Sequence, residues 1–269
     1  MTGEPPERAM PLILRIERDA APARSALLEA AASAAVAVCL DDRAQPGGPW
    51  YPEVQPWMAG RIRKVARRAR GAYWTAVTEL PGVTVERRGA QARALVPCLV
   101  SETPKVVTRL QVSGTDVAPD DADPPPEGLP VLWLAPEPAM SLGKAAAQVG
   151  HAAVLLAARL AAEGRVAELA GWAASGYCCA VRPASAQQWI ALAVQDRPER
   201  AWRERGVLTV RDAGITEVPP GTVTVAVQLP ATLPNPDMET YRGERGDLKP
   251  DMSPCRGTGS AGVDEAGQG

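Results

Sequence analysis

The chain has 269 residues and a formal net charge of −2, so it is long enough for about two domains and carries no overall basic excess that would mark a nucleic-acid binder. It contains no Phe, so seven Trp must supply most of the large aromatic area in a core otherwise built from Leu, Val, Ile and Ala. Five cysteines without a CxxC spacing describe neither a disulfide framework nor a zinc knuckle, and a single histidine leaves no ligand set for a catalytic metal. No metal and no cofactor is expected, and the cysteine usage reads as a reducing cytoplasm.

The opening MTGEPPERAM is acidic and proline-bearing where a secretory leader needs a basic end and an apolar stretch. Pro11 to Asp19 reads as a strand, and RSALLEAAASAAVAVCLDD after it as a helix with a small-residue face. Its apolar part, from Leu27, is too short and too rich in Ala, with Glu29 inside it, to span a bilayer that needs about 20 apolar residues, so a soluble protein with no membrane partner is expected. A Gly/Pro-rich loop over Gln45 to Pro52 ends this unit, and a second helix is predicted from about Trp57 to Leu80.

On that helix Ile62, Val65, Ala66, Ala69 and Tyr73 would share one stripe, with Arg61, Arg63, Lys64, Arg67, Arg68 and Arg70 covering the rest of the circumference. Such a basic face is either simply solvated or binds an RNA backbone. VTVERRGAQARALVP reads as two strands around Gly89. The acidic, proline-rich DVAPDDADPPPEG, Asp116 to Gly128, sustains neither helix nor central strand. It divides an N-terminal α+β accessory domain, 1–116, from a second domain, 129–230, by a linker over 117–128.

In the second domain VLWLAP reads as a strand, SLGKAAAQVGHAAVLLAARLAAEG as a long helix, YCCAVRP as a strand, and SAQQWIALAVQDRPERAWRERG as a helical region interrupted at Pro198. VLTVRDA and TVTVAVQLP follow as strands around the turn-forming PPG. The order β-α-β-α-β-β implies a three-layer α/β/α domain with a mixed four-stranded sheet. Residues 231–269 are polar and rich in Gly, Pro and Asp, and read as a disordered tail. No internal repeat is visible.

Two segments carry candidate chemistry. In MSLGKAAAQVGHAA, Met140 to Ala153, the residues Lys144, Gln148 and His151 fall on one helical face near a helix N-terminus, where free backbone N–H groups favour an anion. A phosphate-cradling Walker loop is excluded by Pro138 and Ala145. A Ser141/His151/Asp212 triad lacks the GxSxG elbow, and Ser141 suits an N-cap. The second segment, RDAGITEVPPGTVT, places Asp212 at the end of a strand and Thr216 and Glu217 on a Gly-containing turn, a position suited to a site.

Together, MSLGKAAAQVGHA and DAGITEVPPGTVT in this order resemble the second, archaeal and eukaryotic-type, peptidyl-tRNA hydrolase family over about Leu129 to Pro230. The N-terminal half resembles, less specifically, the extension of actinobacterial members. The resemblance implies an α/β/α sandwich that binds the tRNA acceptor end in the cytoplasm and hydrolyses the ester between N-blocked peptide and tRNA without a metal. It allows a homodimer. It maps the functional lysine, glutamine, aspartate and threonine onto Lys144, Gln148, Asp212 and Thr216. Three positions depart from the pattern: Pro136 stands near a usual Asp, and Ile215 and Glu217 replace a common Arg and Gln.

The implied chemistry makes Lys144 the donor to the ester oxyanion, Asp212, held by Thr216, the group that orients or deprotonates water, and Gln148 a hydrogen-bonding positioner. His151 and Glu217 support these residues from behind, with packing favoured over proton transfer for His151. Arg61, Arg63, Lys64, Arg67 and Arg70 are the residues offered to the tRNA backbone. The rival readings are a tRNA-binding scaffold on the same fold, without turnover, and a deacylase of mischarged aminoacyl-tRNA.

Overall fold

The computed structural model describes residues 6–112, 117–192 and 197–230; the expected tail, 231–269, lies outside them. The first half contains β1 (Arg8–Arg15), α1 (Arg24–Leu40), α2 (Tyr51–Met58), β2 (Lys64–Ala69), α3 (Gly71–Thr78), β3 (Gly82–Arg87), β4 (Ala90–Leu95), β5 (Cys98–Leu99) and α4 (Lys105–Thr108). The second contains β6 (Val131–Leu134), α5 (Leu142–Ala162), α6 (Val166–Ala174), β7 (Ala180–Pro183), α7 (Ala186–Ala191), α8 (Pro198–Arg205), β8 (Val207–Arg211) and β9 (Val223–Gln228).

Each half builds one mixed sheet. The first runs β2-β1-β4-β3, with β5 against β1, and the second runs β7-β6-β9-β8. In the second, β6 and β7 are parallel and β9 is antiparallel to both β6 and β8, which is the mixed four-stranded sheet expected from the element order. Alternation along the strands decides what each face covers. Leu12, Leu14 and Leu132 enter one core with α1 and α5, whereas Ile13 joins Trp74, Val77, Val107 and Leu110 of the α3/α4 region and Trp133 joins Leu192 and Ala201 of the α7/α8 region. Helices α1 and α5 therefore form a layer between the two sheets, with the remaining cores on the outer faces.

That layer is made of small residues. Ala26, Ala30, Ala31, Ala34 and Ala35 of α1 and Ala145, Ala146, Ala152 and Ala153 of α5 are almost wholly buried, and small side chains let helix axes approach closely. Helix α5 is 21 residues long and apolar enough by length and composition to cross a membrane, but most of it is buried inside the fold. Ser141 caps it by accepting from the Lys144 backbone N–H at 3.1 Å.

The helix predicted from Trp57 to Leu80 is not formed as one element: its last part is α3, Gly71–Thr78, but the basic middle is not helical. Helix α2 ends at Met58, Ile62 has a positive φ of 41°, and Lys64–Ala69 is strand β2, parallel to β1 with Met10 opposite Lys64. The run holds only three small apolar residues, Val65, Ala66 and Ala69, too few to distinguish a period of 3.6 from one of 2, and the open edge of β1 decides between them. The turn around Gly89 is a two-residue hairpin with positive φ at Arg88 and Gly89, as its sequence implied. Across the expected linker, Val117 is buried, Asp120 accepts from the Ser25 backbone N–H and hydroxyl, and the Asp123 carbonyl accepts from Arg182.

At Gly150 the helix layer has no spare room: a Cβ would lie 3.1 Å from the Ala35 Cβ and 3.2 Å from the Lys64 Cδ. Gly150→Val is expected to lower the unfolding free energy by about 1–3 kcal/mol through overpacking. Urea unfolding should show a lower midpoint with little change in slope, and an unchanged midpoint would show that the α1–α5 contact is looser than described.

Candidate active site

The first motif enters the site because Ser141 starts α5 where it does. One turn of helix then presents Lys144 and a second turn Gln148, both buried, at 8 % and 7 % exposure. The second motif enters from the end of β8. A bulge between Val210 and Arg211 re-aims the strand, after which Asp212 donates its N–H to the Thr222 carbonyl at 2.9 Å and accepts from Gly221 N–H at 2.7 Å. Gly214 has a φ of +76°, and a Cβ there would lie 2.6 Å from Pro220, so the turn requires glycine.

Asp212, 8 % exposed, is the centre. Its Oδ2 accepts from Lys144 Nζ at 2.7 Å and from Gln148 Nε2 at 2.7 Å, and its Oδ1 accepts from Gly214 N–H at 2.7 Å. Lys144 Nζ also donates to the Thr216 carbonyl at 2.9 Å and lies 3.4 Å from the Thr216 hydroxyl. Thr216 thus holds the lysine, whereas the expectation had it holding Asp212. Thr224, not singled out in the sequence, donates its hydroxyl to Gln148 Oε1 at 2.5 Å and so turns the amide N–H₂ toward Asp212. The signal available was the second threonine of GTVT, whose inward face depends on strand register.

Glu217, with a φ of 61°, accepts from the Ser141 hydroxyl at 2.8 Å and backbone N–H at 3.1 Å. This clamps the turn to the start of α5. A carboxylate at a helix N-terminus is favourably placed.

A cavity of about 500 Å³ opens on these groups, within the size range of small-ligand sites. One wall carries Lys144, Gln148, His151, Asp212, Ile215 and Thr216; the facing wall comes from the first half of the chain and includes Arg61, Ile62, Arg63 and Lys64. Arg63 pairs with Glu7. Lys64 donates to the Ile62 carbonyl at 3.2 Å and sits 4.8 Å from the Trp57 ring centroid, and burial pushes its amine down to about 7. Arg67 lies outside this cavity and donates to the Thr108 and Leu110 carbonyls at 3.3 and 2.9 Å. Arg70 is also outside it, as the residue before α3. Among the described residues no three His, Cys, Asp or Glu side chains gather as metal ligands.

His151 lines the cavity, and its imidazole is pushed down to about 3, first by burial and then by the Lys64 charge, with Asp212 acting in the opposite sense. It is therefore neutral at physiological pH. Between pH 6.5 and about 3 the unfolded chain binds a proton at this position that the native chain does not, so its contribution to stability is complete above 6.5 and is lost as pH falls toward 3. Melting temperatures measured across that window should fall less steeply in His151→Gln than in the parent. Equal slopes would place a charged imidazole in the native state.

Residues 134–240 match the family model described as peptidyl-tRNA hydrolase PTH2. Comparison with curated proteins gives no match, and comparison with solved structures gives none either.

Proposed function

Because residues 134–240 match the peptidyl-tRNA hydrolase PTH2 family model, we propose that this chain hydrolyses the ester joining an N-blocked peptide to the acceptor end of tRNA, freeing the tRNA for translation. The observation that supports turnover most directly is the convergence of Lys144, Gln148 and Asp212, from two separate motifs, at the floor of one open cavity. The cytoplasm is the proposed place of action.

A water oxygen attacks the ester carbonyl carbon and the carbonyl oxygen becomes an oxyanion; as this returns to a carbonyl the bond to the ribose oxygen breaks, and the proton that the water gives up is balanced by the one that the ribose oxygen takes up. An ammonium has three donors, and those of Lys144 meet Asp212, the Thr216 carbonyl and, at a long 3.4 Å, the Thr216 hydroxyl, so the last and weakest contact is the one an oxyanion would displace. The oxygens of Asp212 already accept three hydrogen bonds, two of them on Oδ2, which leaves Oδ1 the better placed to hold a water. Orientation of that water is therefore its main role. Gln148, fixed by Thr224, positions Asp212.

Arg61 on the facing wall, and Arg63 on exchanging its ion pair with Glu7, would meet acceptor-end phosphates. Lys64, Arg67 and Arg70 belong to the same basic segment, but the inward amine of Lys64 and the carbonyl bonds of Arg67 leave them a smaller share of RNA contact. If the departures Pro136, Ile215 and Glu217 had abolished turnover, the same surface would make a tRNA-binding scaffold.

Incubation with N-acetylaminoacyl-tRNA should release the blocked amino acid. Lys144→Ala should lose about a hundredfold to a thousandfold in turnover, the usual cost of one oxyanion donor. Because removing one member of a buried ion pair costs roughly 3–5 kcal/mol, the assay must be run where a melting curve shows the variant folded. Asp212→Asn, of the same shape, provides the second arm. Binding of the RNA without ester cleavage by the parent chain would favour the scaffold.

Arg61→Ala combined with Arg63→Ala should flatten the dependence of log affinity on log salt by about one unit for each phosphate that is no longer neutralised. An unchanged slope would remove this wall from the RNA interface.

A further inference from the structure

The two halves obey one plan. Both run strand, long helix, short helix, strand, helical segment (α3 in the first, α7 and α8 in the second), strand, strand, the first half then adding β5 and α4, and both sheets share the order second-first-fourth-third, with the first two strands parallel and the others antiparallel to their neighbours. The register also agrees. Leu12 lies between Ala66 and Ala94 as Leu132 lies between Val181 and Val227, and Ile13 lies between Arg67 and Arg93 as Trp133 lies between Arg182 and Ala226.

Details that the topology does not demand agree as well. Trp57 of α2 donates its indole N–H at 2.8 Å to the carbonyl of Arg63, just before β2, and Trp172 of α6 donates at 2.8 Å to the carbonyl of Cys178, just before β7; each partner lies six residues on. The residues preceding those carbonyls, Ile62 and Tyr177, both have positive φ, at 41° and 60°. A positive φ at a β-branched or bulky residue is an outlier, and its occurrence twice at the same place in the plan is not explained by chance packing.

The packing between the halves is reciprocal, as in a two-fold dimer where one patch meets its own copy. Helix α1 packs on α5, β2 of the first half reaches α5, and β7 of the second half reaches α1. The two centres differ. Where β8 is followed by Asp212 and the long turn to β9, β3 is followed by Arg88 and an immediate hairpin into β4. Arg88 donates at 2.8 Å to both Glu29 and the Ser25 hydroxyl, Glu29 is also held by Arg182 at 2.7 Å, and Asp120 closes over Ser25. Ion pairs and the connecting segment fill the place where the second half has its cavity.

We infer that the first half is a second copy of the hydrolase fold whose own centre has closed, and that it acts as a built-in partner subunit: it covers the small-residue face of α5 and supplies residues 61–66 as a wall of the remaining centre. The assignment of a live and a closed centre rests on the proposed hydrolase function; the duplication does not. The chain then has one centre, and the small-residue face of α5, covered by α1, is not available for pairing with another copy.

Sedimentation equilibrium of the full chain should give a monomer of 28.3 kDa at micromolar concentration. Titration with an N-acetylaminoacyl-tRNA carrying an amide in place of the ester should saturate at one RNA per chain. A stable dimer, or two RNA molecules per chain, overturns the inference. If no RNA binds, the hydrolase reading fails, and sedimentation still decides whether the first half stands in for a partner.

Discussion

The packing of α1 against α5 is the constraint on which the remaining architecture depends. A core without Phe fills its volume with many small side chains, and in this layer most of them are Ala. Alanine favours helix and loses no side-chain entropy, so two long helices of this composition form readily and approach closely. At Gly150 even one methyl group would press on Ala35 and Lys64. Because the helices sit this close, each sheet can cover part of both, and the start of β2 is carried to the face of α5 that bears Lys144, Gln148 and His151. The cavity follows from that approach.

Within the cavity, burial and polarity are balanced by satisfaction rather than by exposure. A buried carboxylate and ammonium lose hydration that their mutual attraction repays only when the remaining donors and acceptors are also met. Asp212 has partners on both oxygens, Lys144 is held by the Thr216 backbone as well as by the carboxylate, and Gln148 is turned by Thr224. Such a network holds its members in one geometry before substrate arrives, the condition under which charged groups stabilise a developing charge without reorganising. A neutral His151 adds no competing charge on the same wall. Glu217 ties the turn to the helix cap, and its carboxylate puts a negative charge where the resemblance leads one to expect a neutral Gln.

Much of the second half is legible from its residues. Ser141 before an Ala-rich run locates the start of α5, the alternation in VLTVR and TVTVAVQ locates two strands, and the spacing of Lys144, Gln148 and His151 puts them on one face. These features depend on neighbours within one or two turns of chain, so local chemistry is sufficient to read them. The segment after Trp57 reads wrongly as helix because its few small apolar residues fit either period, and only the edge of β1, far earlier in the chain, selects the strand. Thr224 escapes a reading of the residues alone for a similar reason: its approach to Gln148 is made across the sheet.

The sequence by itself determined the two motifs, the helix cap that orders the first, the glycine turn that orders the second, and the order of elements that makes a mixed α/β sheet. It did not reveal that Thr216 would grip the lysine instead of the aspartate, that Arg61 to Lys64 would face the motifs across a cavity, or that the two halves share one plan. Those relations join residues distant in the chain and depend on register and on the closeness of two helices. Substitution has erased the side-chain pattern of a repeat while leaving its backbone plan, because a core accepts many small apolar sets of similar volume, whereas strand order, sense and register cannot change singly without undoing the sheet.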